Sequence, residues 1–221
     1  MNDVVSEYLE QFYASAAGQR LYMEVSSCLK EFLSGKALLI GFGEPFLSNI
    51  NDESLCYAIP KGYKISHWPK LRPFRTVIID TSAMPFAANS WDTVVLINCA
   101  EYSEDCETLF KELFRITAPE CKLIIFAFNQ FSAAKKLSYV RNSLVSIADT
   151  MQNSSFALQK IHCVNLKINF MPSLPIYRNA TLHFSELVSD AVIIESDKGV
   201  GLAEVSTYSQ KITGATCPPN Y

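Results

Sequence analysis

The feature that most constrains this chain is a set of four short apolar runs, each closed by glycine or by a polar residue. They are Ala37-Leu38-Leu39-Ile40 before Gly41-Phe42-Gly43, Val77-Ile78-Ile79 before Asp80, Thr93-Val94-Val95-Leu96-Ile97 before Asn98, and Leu123-Ile124-Ile125-Phe126-Ala127-Phe128 before Asn129. Runs that are apolar at every position suit strands covered on both faces, as in a parallel sheet. Cys56-Tyr57-Ala58-Ile59 is a weaker strand candidate between the first two. Between the third and fourth runs the period changes to that of a helix. Cys106, Leu109, Phe110, Leu113 and Phe114 fall on one face, and Glu107, Lys111, Glu112 and Arg115 fall on the other. Glu107 and Lys111 pair at i,i+4, and Ser103, Glu104 and Asp105 suit the N-terminal end.

Two helices precede the first run. Tyr8, Leu9, Phe12 and Tyr13 mark one, and Leu21, Tyr22, Val25, Cys28, Leu29, Phe32 and Leu33 mark the other, with Gly18 between them and Gly35 as a stop. Beyond Asn129 the pattern predicts a helix over 132–151, a strand over 158–168, and a loop at Pro172 and Pro175. Two last strands follow, at Ala191-Val192-Ile193-Ile194 and Gly201-Leu202-Ala203-Glu204-Val205, joined by a turn at Asp197-Lys198-Gly199. This alternation predicts an α/β fold: a doubly wound, mostly parallel seven-stranded sheet with helices on both faces, preceded by N-terminal helices. The expected organisation is a helical cap over 1–35, an α/β domain over 36–213 with a substrate-side segment at 130–184, and a loose tail over 214–221.

With 221 residues, 49% of them apolar, one domain with a small cap is expected. A formal net charge of -3 argues against a general nucleic-acid binder. Six basic residues (Lys135, Lys136, Arg141, Lys160, Lys167, Arg178) nevertheless share the 130–184 segment with a single acid, Asp149. That excess fits an acidic partner or a solvated basic face. Seven cysteines without a CxxC pair, no signal peptide and no apolar run of roughly 18 residues point to a cytoplasmic protein with reduced thiols and no membrane span. The three histidines, His67, His162 and His183, are too scattered for a metal site, and no Gly-x-Ser-x-Gly elbow is present.

In an open parallel sheet, ligands bind beyond the carboxyl ends of the strands, where the strand order switches. Gly41-Phe42-Gly43, Asp80, Asn98 and Asn129 all belong to that edge. Glycines let a loop approach a ligand closely, and Asp80 and Asn98 offer hydrogen-bonding groups.

The block Met84-Pro85-Phe86-Ala87-Ala88-Asn89-Ser90-Trp91-Asp92-Thr93-Val94-Val95-Leu96 resembles the "LPF…SFDxVxx" segment of S-adenosylmethionine-dependent class I methyltransferases of the type 11 group. Leu109-Phe110-Lys111-Glu112-Leu113-Phe114-Arg115-Ile116 resembles that family's "LLxExxRVL" helix, and Pro119-Glu120-Cys121-Lys122-Leu123 stands where the family has "PGGxL". Phe12-Tyr13-Ala14-Ser15-Ala16-Ala17-Gly18 and Gly41-Phe42-Gly43-Glu44-Pro45-Phe46-Leu47 are similar to the opening and first loop of an uncharacterised bacterial subgroup.

The resemblance implies a Rossmann-like methyltransferase fold, S-adenosylmethionine as cofactor, and methyl transfer by in-line displacement to a small-molecule or carrier-bound acceptor. It implies a cofactor site formed by Gly41, Phe42, Gly43 and Pro45 in the first loop, by Asp80, Thr81, Ser82 and Met84 on the adenine side, and by Asn98 and Cys99 on the methionine side. Tyr13 would close over the cofactor. Three departures stand out: Leu39 where an acid is usual, Pro45 at the third glycine position, and no acid at Ile59-Pro60-Lys61. They motivate a second reading, a methyltransferase-like scaffold for partner binding. A nicotinamide-dependent dehydrogenase is disfavoured because Phe46 stands where its fingerprint needs glycine. His162, His183, Tyr177 and Glu101 are candidate general bases, and no spacing singles one out, so no catalytic residue is assigned.

Overall fold

The computed structural model describes residues 3–47, 50, 54–63, 75–128, 140–164 and 191–198. The chain opens with α1 (Asp3–Ala14) and α2 (Ala16–Phe32). Then come β1 (Ala37–Gly41), the short α3 (Glu44–Leu47), β2 (Cys56–Pro60), β3 (Arg75–Ile79) and β4 (Trp91–Ile97). A 3-10 turn at Ala100–Tyr102 leads to α4 (Cys106–Ile116) and β5 (Thr117–Phe128), followed by α5 (Leu144–Asn153), β6 (Phe156–Val164) and β7 (Ala191–Lys198).

The strands form one sheet in the order β3-β2-β1-β4-β5-β7-β6. The first five are parallel, whereas β7 runs antiparallel to both β5 and β6. From β1 the chain steps outward to β2 and β3, then returns to β4 on the other flank of β1. The order therefore switches between β1 and β4, where crossovers diverge and leave a crevice.

The continuous apolar runs are explained by two cores, one on each face. Leu39, Val95, Ile97, Ile124, Phe126 and Phe128 pack with Val5, Leu9, Leu21, Val25 and Leu29 of the N-terminal helices. Leu38, Ile40, Val94, Leu96, Leu123 and Ile125 pack on the other face with Leu109, Phe110, Leu113, Ile147 and Met151 of α4 and α5. Alternate strand residues thus serve opposite cores, as the period of two requires. The edge strand β3 departs from the expectation of burial on both faces, because among the described residues nothing flanks it on its outer side. Ile78 is 57% exposed there.

The break between the first two helices lies at Ser15 and not at Gly18. Ser15 caps α2 by accepting from the Gly18 N–H at 3.1 Å. Gly18 sits inside the helix, where a Cβ would come 2.0 Å from the Phe12 carbonyl oxygen, so the end of α1 crosses α2 at a distance only glycine permits.

Two further expectations are corrected. Of the helix expected over 132–151, residues 132–139 lie outside the described residues, and α5 begins at Leu144, capped by Ser143. Arg141 and Asn142 cannot be helical, because their N–H groups donate to the Glu101 carbonyl at 2.7 and 3.0 Å. Of the turn expected at Asp197-Lys198-Gly199, the first two residues are strand, Asp197 pairing with Lys122 and Lys198 with Phe156, and Gly199 lies outside the described residues. Lys198 is held there by the carbonyl of Thr117 at 2.7 Å and the ring of Phe114. The candidate strand at 201–205, the loop at Pro172 and Pro175, and the 214–221 tail lie outside the described residues.

Glu112 and Arg115, expected to face water, instead clamp the loop before β4. Arg115 donates to the carbonyls of Met84 and Phe86 at 2.9 and 2.8 Å, and Glu112 accepts from the Met84 N–H at 2.9 Å. The two side chains pair with each other at 2.7 Å. Phe86 is thereby set edge-on to Trp91.

Candidate functional site

A cavity of about 310 Å³ opens at the carboxyl edge of β2, β3 and β4. Its lining includes Lys61, Tyr63, Asp80, Thr81, Ser82 and Cys99, with Tyr102, Ser103, Glu104 and Asp105 from the turn leading into α4. Asp80 is fixed at the end of β3 by Ser82, whose N–H and hydroxyl donate to its Oδ1 at 3.0 and 2.6 Å. Lys61 approaches the other oxygen at 3.3 Å. The Ser82 donors, then Lys61, hold the Asp80 carboxyl down at about 2. It is therefore an anion at any physiological pH, exposed enough to accept further hydrogen bonds. A larger cleft of about 460 Å³ lies between α4 and the end of α5, away from the strand ends.

Next to the cavity, at the switch between β1 and β4, the loops are packed against each other. Asn98 ends β4 in a left-handed conformation, φ 46°, which asparagine tolerates better than most residues. Its side chain is fully buried. Oδ1 accepts from the Tyr13 hydroxyl at 2.6 Å, and Nδ2 donates to Glu101 Oε1 at 2.9 Å. The Tyr63 hydroxyl donates to the Asn98 backbone carbonyl at 2.6 Å. Glu101 Oε1 also accepts from the Phe128 N–H at 3.1 Å, joining the ends of β4 and β5. The other oxygen of Glu101 and the hydroxyl of Tyr102 are buried with no hydrogen-bond partner among the described residues. Burial pushes the Glu101 carboxyl up to about 7, against the opposing pull of the Asn98 amide and nearby N–H groups.

The first loop is a packing joint. Gly41 has φ +110°, and a Cβ there would lie 2.2 Å from the Ile97 carbonyl oxygen. A Cβ on Gly43 would meet the Leu39 side chain at 2.0 Å and the Tyr57 ring at 3.0 Å. The Tyr57 hydroxyl bridges the loop, donating to the Gly41 carbonyl at 3.0 Å and accepting from the Gly43 N–H at 3.2 Å. Phe42 donates its N–H to the Ile97 carbonyl and stacks on Tyr13, with ring centroids 5.8 Å apart. Pro45 is the second residue of the one-turn α3, in a first turn where a missing N–H costs no intrahelical bond, so the helix accepts proline at the third glycine position.

The residues singled out from the sequence therefore fall into three places. Asp80, Thr81, Ser82 and Cys99 line the cavity. Tyr13, Gly41, Phe42, Gly43 and Asn98 form the packed cluster beside it. Met84 is buried in the core under α4, and half-buried Pro45 lies in α3. Tyr57, Tyr63 and Tyr102 were missed, since single tyrosines in a strand or turn carry no spacing signal. Of the candidate bases, only Glu101 has a described side chain. His162 is described in backbone alone, and Tyr177 and His183 lie outside the described residues, as do Asn129 and most of the basic 130–184 segment. Among the described residues no group of histidines, cysteines or acids is placed to hold a metal, and no helix is long and apolar enough to cross a membrane.

The fold is the Rossmann-like α/β fold of class I methyltransferases. Residues 57–125 match the family described as Methyltransferase domain, and over that segment the chain is similar to it. No curated protein matches the sequence. Among solved structures, the chain is similar to an S-adenosylmethionine-dependent methyltransferase of Thermotoga maritima, described as a possible histamine N-methyltransferase. The two share 17% identity and a TM-score of 0.67, over 88% of this chain and 96% of that one. A methyltransferase of Aquifex aeolicus aligns at 14% identity and TM-score 0.55, over 78% and 88%. The [4+2]-cyclase SpnF aligns at 11% identity and TM-score 0.57, over 80% and 81%. The same fold therefore carries more than one named activity.

Proposed function

We propose that this chain transfers a methyl group from S-adenosylmethionine to a small-molecule or carrier-bound acceptor. The observation that carries the reading is the polar cavity at the carboxyl ends of β2, β3 and β4, beside the β1–β4 switch and within the matched segment. Its volume suits the nucleoside half of the cofactor. Asp80 Oδ2 is an acceptor for the adenine amino group, and the hydroxyls of Thr81, Ser82 and Tyr63 are partners for ring and ribose atoms. The buried Glu101 Oε2 and Tyr102 hydroxyl, without hydrogen-bond partners among the described residues, are polar groups available on the methionine side.

When bound, S-adenosylmethionine supplies an electrophilic methyl group on a sulfonium. The protein then has to align the acceptor and exclude water. Tyr13, Phe42, Phe46 and Phe128 form an aromatic wall suited to that exclusion. The methionine end belongs over Phe42, where Tyr13 now stacks, so Tyr13 shifts to admit it. The helical cap over 1–35 and the substrate-side segment 130–184 bound the acceptor site. The basic residues of that segment favour an acidic acceptor.

One observation favours the scaffold reading: Tyr57 already satisfies the Gly43 N–H and Gly41 carbonyl, so the first loop offers a ligand less than a free glycine loop does. Calorimetric titration of the full chain with S-adenosylhomocysteine decides between the two. Saturable binding that Asp80→Ala weakens supports the methyltransferase. No heat and no thermal shift at millimolar ligand support the scaffold.

A further inference from the structure

Four residues that line the cavity, Tyr102, Ser103, Glu104 and Asp105, form the passage from the 3-10 turn at Ala100–Tyr102 into α4. A single 3-10 turn has poor hydrogen-bond geometry and needs support from elsewhere. Cys99, at its N-terminal end, gives it no side-chain cap. Its internal bonds are long, from the Tyr102 N–H to the Cys99 carbonyl at 3.3 Å and from the Ser103 N–H to the Ala100 carbonyl at 3.2 Å.

The support comes from two residues just before α5. The side-chain nitrogen of Asn142 carries two hydrogens, and both are used. Nδ2 donates to the Ala100 carbonyl and to the Ser103 carbonyl, each at 2.9 Å. The backbone N–H groups of Arg141 and Asn142 donate to the Glu101 carbonyl at 2.7 and 3.0 Å. Three carbonyls of this passage are thus bound by one dipeptide. Arg141 adds an ion pair with Glu104 at 3.1 Å, but both side chains are more than half exposed, and such pairs contribute little. At its other end the passage is fixed by the α4 cap, where Asp105 accepts from the Thr108 N–H at 2.9 Å and from the Thr108 hydroxyl at 2.6 Å. The cavity wall is therefore pinned at both ends, by Asn142 and by the cap.

We infer that Asn142 is a positioning residue, whose two amide donors set where Tyr102, Ser103 and Glu104 stand along the cavity and so how closely the cavity fits a nucleoside. The inference rests on the proposed cofactor reading and deepens it by naming a residue outside the cavity that controls the nucleoside end. Asn142 is not among the lining residues, stands 42 and 39 positions from the two carbonyls its amide holds, and acts through the turn.

The test is calorimetric titration of the full chain with S-adenosylhomocysteine and with 5′-methylthioadenosine, which share the nucleoside and differ in the tail. Asn142→Asp keeps the size of the side chain and loses both donors, and Asn142→Ala removes the side chain without adding a charge. Ser143→Ala is the control, because it removes the α5 cap beside Asn142 and leaves the bonds to the wall in place. Each Asn142 variant is expected to bind both probes about tenfold more weakly, by the same factor for the two. Ser143→Ala is expected to bind both probes as the unaltered protein does, although its thermal midpoint falls. Without ligand, amide hydrogen exchange over 99–105 is expected to speed up about tenfold in the Asn142 variants, whereas in Ser143→Ala the faster exchange is confined to α5. Should the added charge unfold Asn142→Asp, Asn142→Ala carries the test. Unchanged affinity in a folded Asn142 variant, an equal loss in Ser143→Ala, a loss confined to S-adenosylhomocysteine, or unchanged exchange over 99–105 overturns the inference and leaves the cofactor reading standing. Failure of both probes to bind the unaltered protein overturns the cofactor reading, and this inference with it.

Discussion

The hydroxyl of Tyr13 donates to Asn98 Oδ1 at 2.6 Å, across 85 positions of the chain. This contact ties the last turn of α1 to the end of β4, at the point where the sheet changes direction. Both partners are buried, so removing one leaves the other unsatisfied. Tyr13→Phe is therefore expected to lower stability by about 1–3 kcal/mol, read as a fall in the urea midpoint with an unchanged m-value. The same variant is expected to bind S-adenosylhomocysteine no more weakly than the parent, since the hydroxyl competes for the acceptor a ligand amine would use. A large loss of affinity would show that the hydroxyl belongs to the binding surface instead.

Gly41 has φ +110°, and the space its side chain would need is held by the Ile97 carbonyl. Gly41→Ala is expected to cost about 3 kcal/mol or more, from backbone strain and overlap together. Loss of the cooperative thermal transition, or a large fall in its midpoint, would be the sign. A variant that unfolds normally and only loses ligand affinity would mean that the loop opens into a ligand space and is not a packing joint.

Arg115 carries three partners on one guanidinium: the carbonyls of Met84 and Phe86 and the carboxylate of Glu112. Arg115→Met keeps much of the stem and removes the donors. About 1–3 kcal/mol of destabilisation is expected. The exposed Glu107–Lys111 pair on the same helix is the control, because Lys111→Met is expected to cost only about 0.5 kcal/mol. Equal effects of the two substitutions would refute the clamp.

Glu101 gives a signed dependence on pH. Its folded value of about 7 lies above the ordinary glutamate value of 4.5. Between those values the unfolded chain releases a proton that the folded chain retains, so its contribution to stability falls as pH rises through this window. The loss amounts to ~3 kcal/mol at most, complete above about pH 7. Thermal melts of the parent and Glu101→Gln between pH 4.5 and 8 are expected to converge at the acid end and separate at the alkaline end, with the variant the more stable. Parallel curves would sink this account.

Asp80 faces the cavity with its charge secured by Ser82. Asp80→Asn keeps the shape and exchanges an acceptor for a donor. A fall of about tenfold in affinity for both S-adenosylhomocysteine and 5′-methylthioadenosine is expected, because the contact is with the nucleoside half they share. A loss confined to S-adenosylhomocysteine would move Asp80 away from the adenine.

Much of the fold was legible in the sequence because the sheet is covered on both sides. Strands buried on two faces write continuous apolar runs, and β1, β2, β4 and the inner part of β5 follow those runs closely. The amphipathic stripe of α4 was equally plain. The misreadings occurred where periodicity does not decide the structure. The start of α5 is set by two N–H groups bound to the Glu101 carbonyl, and the boundary at Ser15 by a cap together with the close crossing at Gly18. Neither contact is encoded by spacing.

The site divides in the same way. That Gly41, Asp80 and Asn98 share one edge follows from where three apolar runs end, and a parallel sheet brings such ends together. What each residue does there was not legible. A glycine admits a close neighbour without saying whether it is a ligand, and here the neighbours are the Ile97 carbonyl, Leu39 and Tyr57. Only the tertiary structure buried Glu101 between Asn98 and Phe128, because its side-chain partners come from the ends of two different strands. The positions of the inner strands follow from local hydrophobicity, which adjacent residues carry. The character of the site depends on burial and on hydrogen bonds between distant residues, and those exist only once the chain has folded.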